Sequence, residues 1–298
     1  MPDTLVELED IRGNLFTLAG PGQGDRGIVL GTDVDGIYDA PVKTIQNSHA
    51  FQTGSTYGGK RNLQRDIVFG VYAHHDDGDK NWSFNDSEWR KGWSYEQDCK
   101  LWITTEDSRR YLKLRMSQHP EFKPEHDPNG TQIEKVVMTC VANDPWWYEK
   151  NDVTDLWESP TSTLNGSINY GTVSVSNPTD VPIWLKYVVH GAAKPMLPDF
   201  SFGDDRYERA EIDADRKLWL PKITAGDTIV YDTDEEADQA TSRLKIPYWQ
   251  QMNGVTFCYP IPPYTKKIQL PVGMTLAAAG MGIQVRCPRP WSRPWGLQ

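Results

Sequence analysis

The sequence predicts a mainly β protein built as two domains. Three observations carry that reading. Short runs of alternating apolar and polar residues recur along most of the chain, each closed by Gly, Asn, Asp or Pro. A single segment, beginning near Asn85, has helical spacing and helix-start signals. The texture then changes near the middle, where a β-rich run over 133–141 ends in Asn143-Asp144-Pro145-Trp146-Trp147-Tyr148. Proline lacks a backbone N–H and restricts the residue before it, so Asp-Pro breaks a ladder. Three consecutive aromatics, each able to bury about 150–250 Å², read either as core residues at a strand end or as the clamp of a domain junction. The junction reading places the domains at 1–148 and 149–298.

Composition sets the class. The chain has 298 residues, 24% of them charged and 38% hydrophobic, with a mean hydropathy of -0.61. That length supports a substantial core and suits two domains. Twelve tryptophans fit β-sandwiches and interfaces better than a helix bundle. No window approaches the roughly 18 apolar residues of a membrane span. The first residues, MPDTLVELED, are acidic and lack the basic and apolar regions of a signal peptide, so assembly in the cytoplasm of the producing cell is expected. A net charge of -10 disfavours non-specific nucleic-acid binding. Cys99, Cys140, Cys258 and Cys287 are widely spaced and read as small buried residues, without a disulfide or zinc pattern.

In chain order, residues 5–10 and 11–18 alternate around Gly13-Asn14, a hairpin signal. The glycine-rich stretch 20–27 lacks the Lys-Ser/Thr of a phosphate loop. Residues 28–30 read as a strand. Asp33-Val34-Asp35-Gly36 reads as a turn, because the calcium-loop pattern stops after Asp35. Residues 54–60 (GSTYGGK) read as a mobile polar loop. A strand over 65–73 precedes His74-His75-Asp76-Asp77-Gly78-Asp79, which has the composition of a solvated turn. Neighbouring side chains on an extended chain point apart, which weighs against a metal site there. The helix is expected to open on an Asn85/Glu88 capping box, to set Trp89 and Trp93 on one core-facing side, and to continue toward Cys99. Strands follow over 101–104, 110–116 and 133–141, with a polar loop over 119–130.

Beyond the aromatic stretch, 151–166 reads as linker or loose strand. Further strands are expected over 171–175, 183–189, 217–220, 228–232, 255–259, 266–270 and 283–287, the pattern of an antiparallel sandwich. The chain ends in a Pro/Arg/Trp segment carrying Arg289, Trp291, Arg293 and Trp295. Proline disrupts a ladder, so it is expected to run as an extended, partner-contacting arm rich in hot-spot residue types. The alternative is a frayed terminus with one tryptophan tucked back.

Chemistry is harder to find. No Gly-x-Ser-x-Gly, His-Glu-x-x-His, Walker or dinucleotide motif occurs. The acidic pairs, Asp204-Asp205, Asp213 with Asp215 and the run over 232–238, fall mainly in expected turns and read as solvated loops. His190 is lone and reads as structural. Neither catalytic residues nor a cofactor or metal are expected.

Several segments now combine into a resemblance. Two β-rich halves split at Asp144-Pro145-Trp146-Trp147-Tyr148 are the first feature, and the stretches 28–45 and 65–71 add to it. The most specific match is Gly171-Thr172-Val173-Ser174-Val175-Ser176-Asn177-Pro178-Thr179-Asp180-Val181-Pro182-Ile183-Trp184, followed by Leu197-Pro198-Asp199-Phe200-Ser201-Phe202. Over essentially its whole length the chain resembles the distal tail proteins of long-tailed, siphovirus-type bacteriophages, often called minor tail proteins in actinobacterial phages. The resemblance implies an N-terminal β-barrel or sandwich domain, with one helix, that forms a homohexameric ring continuing the tail tube. It also implies a galectin-like C-terminal β-sandwich outside that ring. Implied partners are the tail tube protein, the baseplate hub or tail-associated lysin, the tape measure protein, and fibre or receptor-binding proteins; the implied location is the tail tip of the virion. The family has no catalytic residues to transfer, and no sugar-binding constellation of true galectins matches here. Two other functions stay open on the residues alone: a carbohydrate-binding receptor-recognition protein, from the tryptophans on a sandwich, and a glycoside hydrolase, from the acidic pairs.

Overall fold

A computed structural model describes residues 4–32, 34–75 and 80–298. The chain is mainly β and forms two compact units, one of Met1–Lys150 with Trp291–Leu297 and one of Asn151–Pro290. Among the described residues no helix is long and apolar enough to cross a membrane.

The first unit contains β1 (Leu5–Glu9), β2 (Leu15–Ala19), β3 (Ile28–Leu30), β4 (Val42–Asn47), β5 (Thr56–Asn62), β6 (Arg65–His74), α1 (Trp82–Lys91), β7 (Cys99–Thr104), β8 (Arg109–Met116), β9 (Glu121–Phe122), α2 (Pro128–Thr131), β10 (Ile133–Ala142) and β11 (Trp147–Glu149). Its main sheet runs β2-β1-β7-β8-β10-β6-β3 and curls into a nearly closed barrel. The ends of that path, β2 and β3, are consecutive in sequence, and Asp25 between them accepts bonds from the Thr17 amide at 3.0 Å and hydroxyl at 3.2 Å. In β6 every second residue faces inward, so Ile67, Phe69, Val71 and Ala73 enter the core while Asp66 is exposed. Across it, antiparallel β10 contributes Val136, Met138 and Cys140.

The β1–β2 turn is organised by Asp10. Its carboxylate accepts from the amides of Arg12 and Asn14, each at 2.8 Å. Burial pushes the Asp10 pKa upward, but these bonds outweigh it and hold the acid below its usual range. Arg12 then reaches Glu88 of α1 at 3.0 Å, tying helix to hairpin.

The helix starts earlier than its sequence signals indicated. Asn81 is the N-cap, accepting from the Phe84 amide at 3.0 Å, and no acidic residue lies in the first turn. Asn85 is instead buried inside the helix, its amide donating to the His74 carbonyl at 2.8 Å, so it is not available as a cap. Gly92 ends the helix well before Cys99. Trp89 and Trp93 still meet edge to face in the core, ring centres 5.3 Å apart. The stretch expected as a mobile loop over 54–60 mostly forms β5, paired with β4 in a two-stranded ribbon. Within the expected polar loop lie β9 and α2.

The second unit contains β12 (Val153–Glu158), β13 (Ile168–Asn177), β14 (Lys186–His190), β15 (Lys194–Pro198), β16 (Lys217–Trp219), β17 (Thr228–Asp232), β18 (Thr241–Ser242), α3 (Tyr248–Gln251), β19 (Thr265–Thr275) and β20 (Gly282–Cys287). Two antiparallel sheets, β12-β20-β14-β17-β18 and β13-β19-β15-β16, share one core. Tyr187, Tyr231, Ile283 and Val285 enter it from the first sheet, Val173, Leu270, Val272 and Leu197 from the second. Of the two readings of 151–166, linker or loose strand, the strand holds over 153–158 as the edge strand β12, whose Trp157 indole lies where a side chain at Gly171 would be, 1.9 Å from an ideal Cβ. The strand expected over 255–259 is absent; that backbone is held by side chains instead. A final short strand, β21 (Pro290–Trp291), pairs with β11.

Asn177 explains why the segment that carries the resemblance is so specific. It is fully buried, and its amide donates to the carbonyls of Val181 at 2.8 Å, Ile261 at 3.2 Å and Pro262 at 2.9 Å. Its oxygen accepts from the Thr179 amide at 3.0 Å and hydroxyl at 2.7 Å. Prolines at 178 and 182 remove backbone donors from this loop, and Asn177 adds a side-chain donor to carbonyls that Thr179, Ile183 and Thr265 also serve.

Candidate interaction surfaces

The aromatic stretch at the middle of the chain is sorted residue by residue. Asp144 begins an Asx-type turn, accepting from the Trp146 amide at 3.2 Å and the Tyr148 hydroxyl at 2.9 Å. Trp146 and Tyr148 are half-buried, whereas Trp147 is completely buried in the core of the first unit and donates to the Ile37 carbonyl at 3.2 Å. Pro145 offers its carbonyl to Arg65 at 2.8 Å.

Arg65 is the hub of this region. It is almost fully buried, and besides Pro145 it donates to the carbonyls of Gly36, Ile37, Asp39 and Ser292 at 2.6–3.1 Å. Burial lowers its pKa to about 10, with the Asp39 charge opposing, so it stays cationic at neutral pH. Gly36 is required beside it: its φ is +76°, and an ideal Cβ would lie 1.9 Å from the Asp66 carbonyl oxygen. A second buried arginine, Arg110, stacks over the Trp291 ring at 3.9 Å from its centre. Its other amines donate to the carbonyls of Arg293 at 2.9 Å and Gly296 at 3.0 Å.

The C-terminal segment is therefore not a free arm. Trp291 is buried in the first unit and donates to Glu149 at 2.9 Å. Arg289 is buried in the second unit, where it donates to the Ser176 carbonyl and, at 2.9 Å, to its hydroxyl. Neither retains surface for a partner, because two arginines hold the following carbonyls against the barrel. Arg293 and Trp295 keep exposed surface: Arg293 pairs with Asp39 at 2.5 Å, and Trp295 meets Tyr38 edge to face at 5.1 Å. Beside Trp295, the barrel encloses an apolar cavity of about 220 Å³ lined by Val6, Leu18, Phe69 and Leu101 among others.

Sequence reasoning passed over Arg65 and Arg110, although a signal existed. Arg65 shares strand parity with Ile67, Phe69 and Val71, and Arg110 shares it with Leu112 and Leu114. A cation on the inward face must be bonded there or the face is misassigned.

The β4–β5 ribbon forms a sheet by itself, and every residue of β4 is exposed. Val42, Ile45 and Tyr57 present apolar surface on it, and Phe51 at its tip is completely exposed. An isolated hairpin of this kind is marginal in water, and exposed strand edges with apolar side chains invite another chain.

Few residues are arranged for chemistry. Among the described residues no cluster of three His, Cys, Asp or Glu is placed to hold a metal ion. His74 bonds the His75 carbonyl, while Asp76, Asp77 and Asp79 lie outside the described residues, as does Asp33 of the Asp33/Asp35 turn. His190 bonds the Thr228 hydroxyl at 2.9 Å. Cys99, Cys140 and Cys287 are buried thiols and Cys258 is half-buried. Burial pushes the Cys99 pKa up to about 12, which keeps it protonated and inert. Asp213 is engaged by Arg209 at 3.3 Å and Tyr259 at 2.7 Å.

No protein-family model matches the chain. In fold it is similar to the Dit protein (gp 19.1) of phage SPP1, described as a paradigm of the hub adsorption apparatus in phages infecting Gram-positive hosts. That match has a TM-score of 0.59 at 10% identity and covers 97% of this chain and 99% of the other. It is also similar to a chain of the phage P2 baseplate in its activated conformation, with a TM-score of 0.53 at 11% identity, over 96% and 98% of the two chains. The minor tail proteins Gp27 of Mycobacterium phages L5 and D29 are each 36% identical to it, over 99% of this chain and 99% of their own. The chain belongs to the family of these mycobacteriophage minor tail proteins.

Proposed function

We propose that the protein is a non-catalytic ring adaptor at the tail tip. In this reading the first unit assembles as a homohexameric ring that continues the tail tube, and the second is a galectin-like sandwich carried on its outside. The ring joins the tube to the baseplate hub or tail-associated lysin, with the tape measure protein and fibre or receptor-binding proteins as further partners. Assembly takes place in the host cytoplasm. The carrying observation is the β4–β5 ribbon, which offers two strand edges and the apolar side chains of Val42, Ile45 and Tyr57 with nothing in its own sheet to cover them. A ring subunit needs such an element, because each copy must meet a different surface of the next for the ring to close.

The test introduces Ile45→Asp and Tyr57→Asp together and follows assembly by native mass spectrometry and negative-stain imaging, alone and with the tube and hub proteins. Both positions are exposed, so thermal unfolding of the monomer is expected to stay unchanged while rings are lost. Normal rings from the variant, or no rings from the wild-type chain under any of these conditions, would rule the reading out. Complementation of a phage lacking the gene gives the same answer in the particle: the double variant is expected to yield tails that stop short of a complete tip.

A further inference from the structure

The second unit carries an open groove of about 660 Å³ between the loop after β17 and the turn after α3. One wall bears Trp249, at the second position of α3, with 64% of its surface exposed. Six of the twelve tryptophans are buried, and Trp249 is the most exposed of the twelve. Glu235, Asp238, Gln250, Asn253 and Thr256 also line the groove, so it brings carboxylate, amide and hydroxyl side chains together beside the indole. Among the described residues, the side chains of Glu235, Asp238, Gln250 and Asn253 make no hydrogen bond or ion pair within the chain. No Lys, Arg or His lines the groove.

The walls are held in place independently of any ligand. Gln239 pairs with the Phe257 backbone in both directions, accepting at 2.8 Å and donating at 2.9 Å, which fastens the acidic loop to the opposite wall. Asp199 accepts from the Cys258 and Tyr259 amides, and its partner Arg216 donates to the Thr256 carbonyl at 3.0 Å. Met252 and Phe257 are buried beneath. A preformed groove of this size falls in the ~300–1,000 Å³ range of small-ligand clefts.

We propose that this groove binds a neutral saccharide. A sugar ring has one face of C–H groups and an edge of hydroxyls. The free Trp249 indole suits the first, as an aromatic platform, and planar amides and carboxylates suit the second, because each can engage two neighbouring hydroxyls. The absence of any cation, together with two free carboxylates, selects against phosphorylated, sulfated or uronic acid chains. The site gives the tail tip a glycan contact of its own, separate from ring assembly.

The test titrates the full-length chain with cellopentaose, maltopentaose, mannopentaose, xylopentaose and chitopentaose, followed by tryptophan fluorescence and calorimetry. Dextran sulfate and an oligolysine peptide serve as competitors of other chemistry. At least one neutral oligosaccharide is expected to bind, with Trp249→Ala weakening it by about tenfold or more, equivalent to ~1.4 kcal/mol, and Trp249→Phe retaining part of the affinity. Gln250→Ala, at an exposed position, is expected to weaken binding with unchanged thermal unfolding. Failure of all five oligosaccharides, binding unaffected by Trp249→Ala, or binding of the sulfated chain or the peptide alone would each overturn the proposal. None of these outcomes depends on ring formation.

Discussion

Trp147→Ala is the sharpest probe of how the first unit is held together. The side chain is wholly buried. Removing the ~150–250 Å² an aromatic of this size withdraws from water corresponds to about 4–6 kcal/mol of transfer free energy at ~25 cal/mol per Å². Truncations of buried aromatics cost about 3–5 kcal/mol in practice, because the surroundings partly relax. The lost hydrogen bond adds little. Trp147 donates to the Ile37 carbonyl at 3.2 Å, but Arg65 donates to that same oxygen at 2.9 Å, so the carbonyl keeps a partner. The expected loss is therefore about 4 kcal/mol, a large share of the ~5–15 kcal/mol stability of a typical domain. Trp146→Ala, at a half-buried neighbour whose named bond is through its backbone amide, is expected to cost no more than about half of that. The assay is urea unfolding of the full chain by far-UV circular dichroism, fitted for each transition. A cost below about 1 kcal/mol for Trp147→Ala, or equal costs for the two tryptophans, would refute the assignment of Trp147 as the core anchor.

Other perturbations report on other parts of the molecule. Arg110→Ala removes the stack on Trp291 and the donors to the Arg293 and Gly296 carbonyls. Hydrogen exchange over 291–297 is expected to accelerate strongly, and unchanged protection would show that these bonds do not hold the segment. Asn177→Ala removes the acceptor of the buried Thr179 amide, while the Val181, Ile261 and Pro262 carbonyls keep donors in Thr179, Ile183 and Thr265; the expected cost in denaturant unfolding of the second unit is about 1–3 kcal/mol, and a cost under about 0.5 kcal/mol counts against that account. Acid should weaken both units. Bonds from Arg209 and Tyr259 lower the Asp213 pKa, and at Asp10 and Asp227 burial raises it but hydrogen bonds prevail, so all three lie below the usual value of 3.8. A carboxylate depressed by folding binds fewer protons in the folded state, so its contribution is complete above the unfolded value and fades as pH falls through the folded one. Stability from these three is thus expected to hold down to about pH 4 and decline below it. Replacing all three by Asn should flatten that decline, and an unaltered acid slope would be contrary evidence.

How much of this was legible depended on which residues carried the signal. Strands with clean alternation over a solid core, such as β6, β10 and β20, were readable because side-chain period and burial coincide. The helix was readable from Trp89 and Trp93, but its start was not: the Asn85/Glu88 spacing pointed to Asn85, whereas Asn81 caps the helix and the bond from Asn85 to His74 holds Asn85 inside it. β15 was hidden by its two prolines, which mark an interrupted ladder in sequence but here are each paired on one side only, Pro195 with β19 and Pro198 with β16. β5 was hidden because Tyr57-Gly58-Gly59-Lys60 has the composition of a loop, and no core lies behind it to impose alternation. The stretch over 255–259 erred in the opposite sense: its apolar residues are buried, but side chains of Gln239 and Asp199, not a neighbouring strand, satisfy its backbone. Apolar pattern reports burial, and only partner geometry reports pairing.

The same distinction bears on where function resides. The segments that carry the family resemblance hold the interior together: Asn177 serves three carbonyls, Asp199 fastens the wall at 258–259, and Arg65 and Trp147 share the Ile37 carbonyl. Such residues are constrained by several bonds at once, which leaves them unavailable to partners. The candidate contact surfaces are built from the opposite kind of residue. Val42, Ile45 and Tyr57 on the ribbon, and Trp249 with its free amides and carboxylates on the groove, are exposed and little engaged within the chain. A truncated barrel makes the division concrete. Because Trp291–Leu297 belongs to the first unit, a fragment ending at Lys150 would leave Arg65 and Arg110 without the carbonyls of Ser292, Arg293 and Gly296. Two buried cations would then face unmet bonding needs, which is costly in a low-dielectric interior. The barrel can complete its core only when residues 291–297 have been made, so the unit proposed to build the ring is finished only after the sequence of the other unit has been synthesised.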